Sequence, residues 1–240
     1  MSPKQRQLFR WWNDYDAVIC DGAVRSGKTY AMTIAFFLWA MSRFDRRQFG
    51  LCAATQNGVR RNVLTPVLPL LRRLGFQAEE RVSQGKLTLR RGGRENVFYI
   101  YGGRNEGSAA LIQGVTLAGV LLDEAALMPR SFVEQACARC SVEGGRLWFS
   151  CNPAGPEHWF YKEWICRPEE KRALYLHFTM ADNPALSDRT REKYGRMFRG
   201  VFYRRYVLGE WVAAEGLVYD GLDLTGLPEA PEDGFDRWRI

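Results

Sequence analysis

The chain has 240 residues, 46% hydrophobic and 25% charged, a balance that builds a folded core and excludes an intrinsically disordered chain. Its longest apolar run, Tyr30 to Met41, holds 12 residues, short of the roughly 20 that span a bilayer, and the opening MSPKQRQLFRWWNDYD lacks the apolar stretch of a signal peptide, so neither membrane contact nor secretion is expected. Six cysteines and two histidines leave little for metal chemistry: Cys137 and Cys140 form a lone C-x-x-C without a second pair, which reads as reduced cysteines in a cytoplasmic protein.

In chain order, Ala17 to Cys20 (AVIC) reads as a buried strand, followed by a Gly-rich turn and a helix from Thr29 to Met41. That helix is apolar nearly all round and is expected to lie against a sheet. Phe49 to Ala53 reads as a strand. Asn57 to Leu74 reads as a helix that Pro66 and Pro69 must kink or split. Lys86 to Arg90 and Val97 to Tyr101 flank RGGREN and read as a hairpin. Val115 to Leu122 is a strand running into Asp123, and SFVEQACARCS after it reads as a helix. Arg146 to Cys151 is a strand stopped by Asn152-Pro153, and Leu174 to Phe178 is another. Ser187 caps a helix to about Phe198, and Gly200 separates a short helix ending near Leu208. Strands alternating with helices predict an α/β fold with a mainly parallel central sheet flanked by helices. Residues 1–212 are expected to form this domain with a small C-terminal helical lobe, and 213–240 an acidic linker.

The net charge of 34 − 27 = +7 is unevenly placed. Arg43 to Arg94 holds twelve basic and three acidic residues, and Arg189 to Arg205 holds seven and one. Ala213 to Ile240 inverts this, with seven acidic and two basic residues. Basic clusters interleaved with Tyr194, Phe198, Phe202, Tyr203 and Tyr206 suit a polyanionic partner.

Gly22 to Thr29, GAVRSGKT, fits G-x-x-x-x-G-K-[ST], a pattern that arises by accident in about one per cent of chains of this length. A strand enters it and an apolar helix leaves it. Gly22 and Gly27 let the backbone turn and approach a phosphate. The N–H groups of Ala23, Val24, Arg25 and Ser26 and the following helix N-terminus surround the anion, with Tyr30 just behind. Lys28 adds a full charge on the β- and γ-phosphates, and the Thr29 hydroxyl is a ligand for Mg²⁺. The second signal is Val120-Leu121-Leu122-Asp123-Glu124. An apolar strand ending in Asp123 puts a carboxylate at the C-terminal edge of the sheet, where it can hold the Mg²⁺ shell. Glu124 is placed to polarise the water that attacks the γ-phosphoryl group of ATP. The third is Ser150-Cys151-Asn152-Pro153, which reads equally as a phosphate sensor and as an ordinary Asn-Pro turn.

With these motifs in order, the chain resembles the large subunit of phage terminases, the DNA-packaging motor, in the group found in PBSX-like and lambdoid prophages. The strings are GAVRSGKT, LIQGVTLAGVLLDEAALMP, SCNPAGPEHWFYKEW, FTMADNPALSD and RRYVLGEW, and the resemblance covers Pro3 to about Asp220. The resemblance implies a P-loop NTPase of the ASCE, RecA-like class that hydrolyses ATP with Mg²⁺ and moves double-stranded DNA. It implies as partners a portal protein on the procapsid, a small terminase subunit and further copies in a pentameric ring, all in the cytoplasm of a bacterial host. Gln5 is similar to the glutamine with which such motors contact adenine, with Gln7 as the alternative. SCNP resembles the coupling motif, which gives Asn152 a role in linking hydrolysis to movement. Arg25 is implied as a γ-phosphate sensor beside the catalytic Lys28 and Glu124. The neighbouring subunit of such rings usually supplies an arginine. Gln113 stands at the expected position here, leaving Arg104 and Arg139 as candidates in trans and Arg25 in cis. A nuclease domain of RNase H-like fold would begin near Asp236 to Ile240, so DNA cutting is expected to be absent from this chain. Among the rivals, a helicase-like or repair ATPase would need a second motor lobe with its own arginine motifs, and none is visible. A nucleotide-gated scaffold that binds the portal without turnover leaves Glu124 without a task, and a small-molecule kinase leaves the basic clusters unused.

Overall fold

In a computed structural model that describes residues 1–10 and 15–213, the AVIC run extends into β1 (Ala17–Gly22), buried along its whole length. The chain then turns through the glycine-rich loop into α2 (Lys28–Arg43), which Gly27 caps with φ +78°. Ahead of both lies α1 (Pro3–Gln7), closed by a reciprocal capping box between Ser2 and Gln5. The other strands are β2 (Gln48–Ala53), β3 (Gln77–Arg81), β4 (Lys86–Arg91), β5 (Arg94–Gly102), β6 (Gly119–Leu122), β7 (Arg146–Cys151) and β8 (Ala173–Phe178). They form one eight-stranded sheet in the order β3-β4-β5-β2-β6-β7-β1-β8. Pairing from β5 through β8 is parallel, and only β4 runs against its neighbours.

Two cores cover the two faces, and strand alternation assigns residues to each. Val18, Cys20, Leu121 and Trp148 face α2, whereas Ile19, Val120, Leu122 and Phe149 face the opposite side. On the α2 side, Phe36 packs edge-on against Phe37, Phe49, Phe98 and Trp148 at 5.8 to 6.0 Å between ring centroids. This accounts for a helix without a polar face.

Several expectations shift. The helix predicted from Asn57 to Leu74 is not broken at its prolines. It runs as α3 (Gln56–Gly58), a π-helical segment (Val59–Leu64) and α4 (Thr65–Arg73), with Pro66 in the first turn of α4. The Thr65 N–H reaches back five residues to the Arg60 carbonyl, so the wider turn absorbs the proline that follows. Strand β3 (QAEER) carries no apolar pattern because it is an edge strand, marked by charge. The strand before Asp123 is shorter than Val115 to Leu122. The Leu117 N–H bonds the Arg139 carbonyl at 2.8 Å, which ties that stretch to the end of α5 (Arg130–Ala138) and not to a strand. Towards the C-terminus, α6 (Asp188–Met197), α7 (Gly200–Tyr203) and a π turn (Arg204–Leu208) form a lobe with no fully buried residue. The acidic segment expected as a linker lies outside the described residues from position 214 onward. Among the described residues no helix is long and apolar enough to cross a membrane.

Candidate nucleotide-binding and hydrolysis site

The sheet order places β7 between β1 and β6. Gly22–Thr29, Asp123–Glu124 and Asn152 follow the C-terminal ends of these three adjacent parallel strands, the edge at which open α/β sheets bind ligands. The three motifs therefore meet in one cleft of about 660 Å³, into which Gly27, Lys28, Thr29, Asp123, Glu124 and Asn152 all open.

The loop is shaped by its first glycine. Gly22 has φ +126°, and a Cβ there would lie 1.9 Å from the Phe178 carbonyl oxygen. That oxygen accepts the Ala23 N–H at 2.7 Å, so β8 holds the base of the loop. Lys28 is buried. Its ammonium donates to the carbonyls of Gly22 (3.2 Å) and Ala23 (3.0 Å) and to Asn152 Oδ1 (2.5 Å). Burial lowers its pKa, while the Cys151, Asp123 and Asp21 side chains oppose that shift. The Ser26 hydroxyl in the same loop is buried and has no hydrogen-bond partner among the described residues.

On the far side of the cleft, Asp123 Oδ1 accepts hydrogen bonds from Thr29 Oγ1 (3.1 Å) and Ser150 Oγ (2.5 Å). Ser150 Oγ also lies 3.4 Å from the Glu124 N–H. Glu124 sits in the left-handed region at φ 56°, ψ 49°, an uncommon conformation for a residue with a side chain. Its carboxyl pKa is raised by burial and by the neighbouring Asp123, and Lys28 and Arg61 oppose the rise.

The remaining sequence candidates fall at different places. Gln5 is buried, and its Nε2 lies 2.9 Å from where a Cβ on Gly27 would stand, which puts it beside the loop. Gln7 is exposed. Val24, Arg25 and Tyr30 line the cleft. The Arg25 guanidinium lies over the Tyr194 ring of α6, 5.8 Å from its centroid, and the Arg25 carbonyl accepts from Asn183 Nδ2 at 2.7 Å. Arg104 and Gln113 are exposed, Arg139 is half-buried, and none of the three lines the cleft of its own chain.

The structure adds members that the sequence reading did not single out. Ser150 bridges Asp123 and the Glu124 backbone. Arg61, Asn62 and Pro66 line the cleft from the π-helical segment and the start of α4. A hydroxyl two positions before Asn152 is visible in SCNP. The aim of Arg61 depends on a helical phase that spacing does not reveal.

The donor set fits Mg²⁺ bound with a nucleotide. Thr29 Oγ1 and Asp123 Oδ1 are 3.1 Å apart at the cleft floor. Among the described residues no group of three or more His, Cys, Asp and Glu side chains is placed to hold a metal ion. One hydroxyl and one carboxylate suit an ion that takes its other ligands from phosphate oxygens and water. The Ser26 hydroxyl without a partner and the buried lysine suit the phosphates themselves.

The family model described as terminase large subunit, T4likevirus-type, N-terminal, matches residues 19–225. No curated protein matches the chain. Among solved structures, the large terminase of a thermophilic bacteriophage in complex with ADP is 46% identical with a TM-score of 0.87, over 97% of this chain and 60% of that one. The same phage protein in complex with ATP-gamma-S is 46% identical with a TM-score of 0.84, over 97% of this chain and 58% of that one. The ATPase domain of the Thermus phage P74-26 large terminase, 19% identical, shares the fold with a TM-score of 0.68 over 87% of this chain and 92% of that one. This chain thus spans about 60% of the length of the thermophilic phage protein. A P-loop NTPase fold, a family model over most of its residues and a relative at 46% identity along nearly its whole length show that the chain belongs to the large-subunit family of phage terminases.

Proposed function

We infer that residues 1–212 are the motor domain of a DNA-packaging ATPase, which hydrolyses ATP with Mg²⁺ and couples the cycle to movement of double-stranded DNA into a procapsid. The observation that carries this reading is the convergence of Lys28 and Thr29 at the start of α2, Asp123 and Glu124 after β6, and Asn152 after β7 in a single cleft, with Ser150 of β7 bonded to Asp123.

Chemically, the loop N–H groups and Lys28 hold the β- and γ-phosphates. Gln5, beside Gly27, is placed to read the base, with its amide nitrogen as the free hydrogen-bonding end because Oε1 accepts from the Ser2 N–H at 3.0 Å. Thr29 and Asp123 would hold Mg²⁺, which supplies charge neutralisation at the leaving phosphate. Ser150 keeps the Asp123 carboxylate turned towards Thr29. Glu124 accepts a proton from the attacking water as the bond from the γ-phosphorus to the β,γ-bridging oxygen breaks. Asn152 occupies one of the three ammonium hydrogens of Lys28. A γ-phosphate oxygen that takes this hydrogen frees Asn152, which gives the coupling motif a physical signal of phosphate occupancy. Arg25, resting on Tyr194, carries the same signal to the C-terminal lobe. The partners in this reading are double-stranded DNA, a portal protein, a small terminase subunit and further copies of the chain in a ring that completes each site with an arginine. The setting is the bacterial cytoplasm.

Phosphate release with and without Mg²⁺ tests the core of the proposal. Lys28→Ala is expected to abolish ATP binding or turnover, and removing Mg²⁺ with a chelator to stop release in the unaltered chain. Near-normal turnover in Lys28→Ala would contradict the assignment of the loop.

A further inference from the structure

Directly before the phosphate loop stands Asp21, fully buried at the end of β1. Its Oδ1 lies 3.0 Å from His177 Nδ1 on β8, its Oδ2 accepts the Trp211 indole N–H at 2.7 Å, and the Tyr175 side chain also bonds to it. The other nitrogen of His177, Nε2, lies 3.0 Å from the Leu208 carbonyl. A neutral imidazole carries one N–H, yet both nitrogens here face oxygen acceptors. Only the imidazolium donates to both, and a carboxylate that receives donors on both oxygens is its matching anion.

Leu208 and Trp211 belong to one stretch, Arg204 to Trp211, which crosses the base of the phosphate loop as a strap. The Tyr206 carbonyl accepts the Val24 N–H at 3.2 Å. Gly209 passes so close that a Cβ on it would lie 2.3 Å from the Ala23 nitrogen. Arg205 Nη2 donates to the Pro153 carbonyl of the SCNP motif at 3.1 Å. The strap therefore touches both the phosphate loop and the segment that bears Asn152, and its anchor joins a buried carboxylate to a half-buried imidazole outside the hydrolytic cleft.

We propose that Asp21, His177 and Trp211 are positioning residues which fasten the strap to the base of the phosphate loop through a protonated His177, so that a proton on this histidine holds the loop in the form that grips nucleotide. The inference rests on reading the loop as a nucleotide site. His177 is faced by Asp21 from β1, by Lys4 from α1, whose ammonium bonds the His177 carbonyl at 2.6 Å, and by Tyr175 on its own strand. From the strap it meets the uncharged Leu208 carbonyl, while the Trp211 indole bonds the other oxygen of Asp21 and carries Tyr161 stacked on its ring. The hydrogen bond to Asp21 raises the His177 pKa above its ordinary 6.5, against burial and Lys4. A group whose pKa is raised on folding stabilises the fold below its unfolded pKa and loses that contribution as pH rises through the folded value. The strap is thus fastened near pH 6.5 and loosens on the alkaline side.

The test measures ADP affinity and the KM and kcat for ATP from pH 6 to 9 in the unaltered chain, Trp211→Phe, His177→Gln and, as a control, Lys28→Ala. Trp211→Phe keeps a ring on Tyr161 and removes the N–H. It is expected to weaken ADP binding roughly tenfold, the scale of a lost bond to a charged group. The unaltered chain is expected to lose ADP affinity as pH rises, and His177→Gln to flatten that dependence. Amide exchange over residues 204–211, corrected for the intrinsic rate, gives a readout that needs no variant, and protection is expected to fall over the same pH range. Should Lys28→Ala lose ADP while both other variants match the unaltered chain at every pH, the loop assignment stands and the strap proposal is overturned. Exchange protection independent of pH overturns it as well. Undiminished ADP binding in Lys28→Ala overturns the loop assignment and the strap with it.

Discussion

Glu124 is the residue on which the proposed hydrolysis turns. Its backbone is held in a left-handed conformation, its neighbour Asp123 is occupied with Thr29 and Ser150, and its own side chain has no hydrogen-bond partner among the described residues. Burial and the adjacent Asp123 destabilise its ionised form, which makes it a stronger proton acceptor than an exposed glutamate. Glu124→Gln keeps the shape and removes the basicity, so ATP should still bind while phosphate release slows by about 10²-fold or more, the usual scale for a positioned base. The base works only when ionised, so activity in the unaltered chain should fall on the acid side, with a midpoint above the ordinary 4.5 of a glutamate. A single-turnover pH profile measures this, and retention of full rate in Glu124→Gln would remove it from the chemistry. Lys28, Thr29, Asp123 and Glu124 were legible in the sequence because each motif is a contiguous string whose chemistry depends on local spacing. Asp21 was not: its partners lie 156 and 190 residues away, and nothing in CDGAV marks a buried aspartate as the meeting point of three elements.

At the scale of elements, the strands and the long apolar helix were readable because burial writes itself as runs such as AVIC and RLWFSC. Edge strand β3 was not, since its surroundings ask for charge: Glu79 pairs with Arg81 at 2.8 Å and with Arg90 at 3.1 Å. The segment from Gln56 to Arg73 shows how a misread local feature hides a functional one. Its prolines read as a break, whereas the chain widens one turn and keeps going, and this phase turns Arg61 and Asn62 into the nucleotide cleft. Arg61 is exposed and bonds through Nε to Asn62 Oδ1 at 3.2 Å. Its charge favours the ionised form of Glu124. Removing it should raise the Glu124 pKa, so Arg61→Ala is expected to move the acid limb of the pH profile to higher pH, with only a small change in the alkaline plateau. An acid limb that stays in place would show that the guanidinium does not act on the base. A matched loss at every pH would instead point to a direct phosphate contact.

For the whole molecule, the proposed function raises the question of where a positively charged protein would meet a polyanion. In the first basic region Arg60 pairs with Glu80 at 2.8 Å and Arg90 with Glu79 and Glu95, while Arg43, Arg47, Arg72 and Arg73 are exposed and have no ion-pair partner among the described residues. The C-terminal lobe gathers its unpaired charge on one short helix and the turn after it. Arg191 and Arg204 pair with Asp188 and Glu210, but Arg189, Lys193, Arg196 and Arg199 are exposed and have no ion-pair partner among the described residues. Arg189, Lys193 and Arg196 stand at i, i+4 and i+7, which places them on one face of α6. The same helix carries Tyr194, on which Arg25 of the phosphate loop rests, so the helix that bears this charged face is in contact with the loop. A motor that must move any sequence needs contacts to phosphate and not to bases, and such contacts release counterions. Binding of a random duplex should therefore weaken steeply with salt, with log K falling by roughly 0.9 per phosphate contact against log salt. Replacing Arg189, Lys193 and Arg196 together by alanine should reduce that slope by about three and leave basal ATP turnover unchanged, because none of the three lines the cleft. Fluorescence anisotropy across a salt series separates the outcomes. A reduced slope with intact turnover locates the DNA track on α6. An unchanged slope moves the track off this helix, and a flat response in the unaltered chain removes the polyanion from the function altogether.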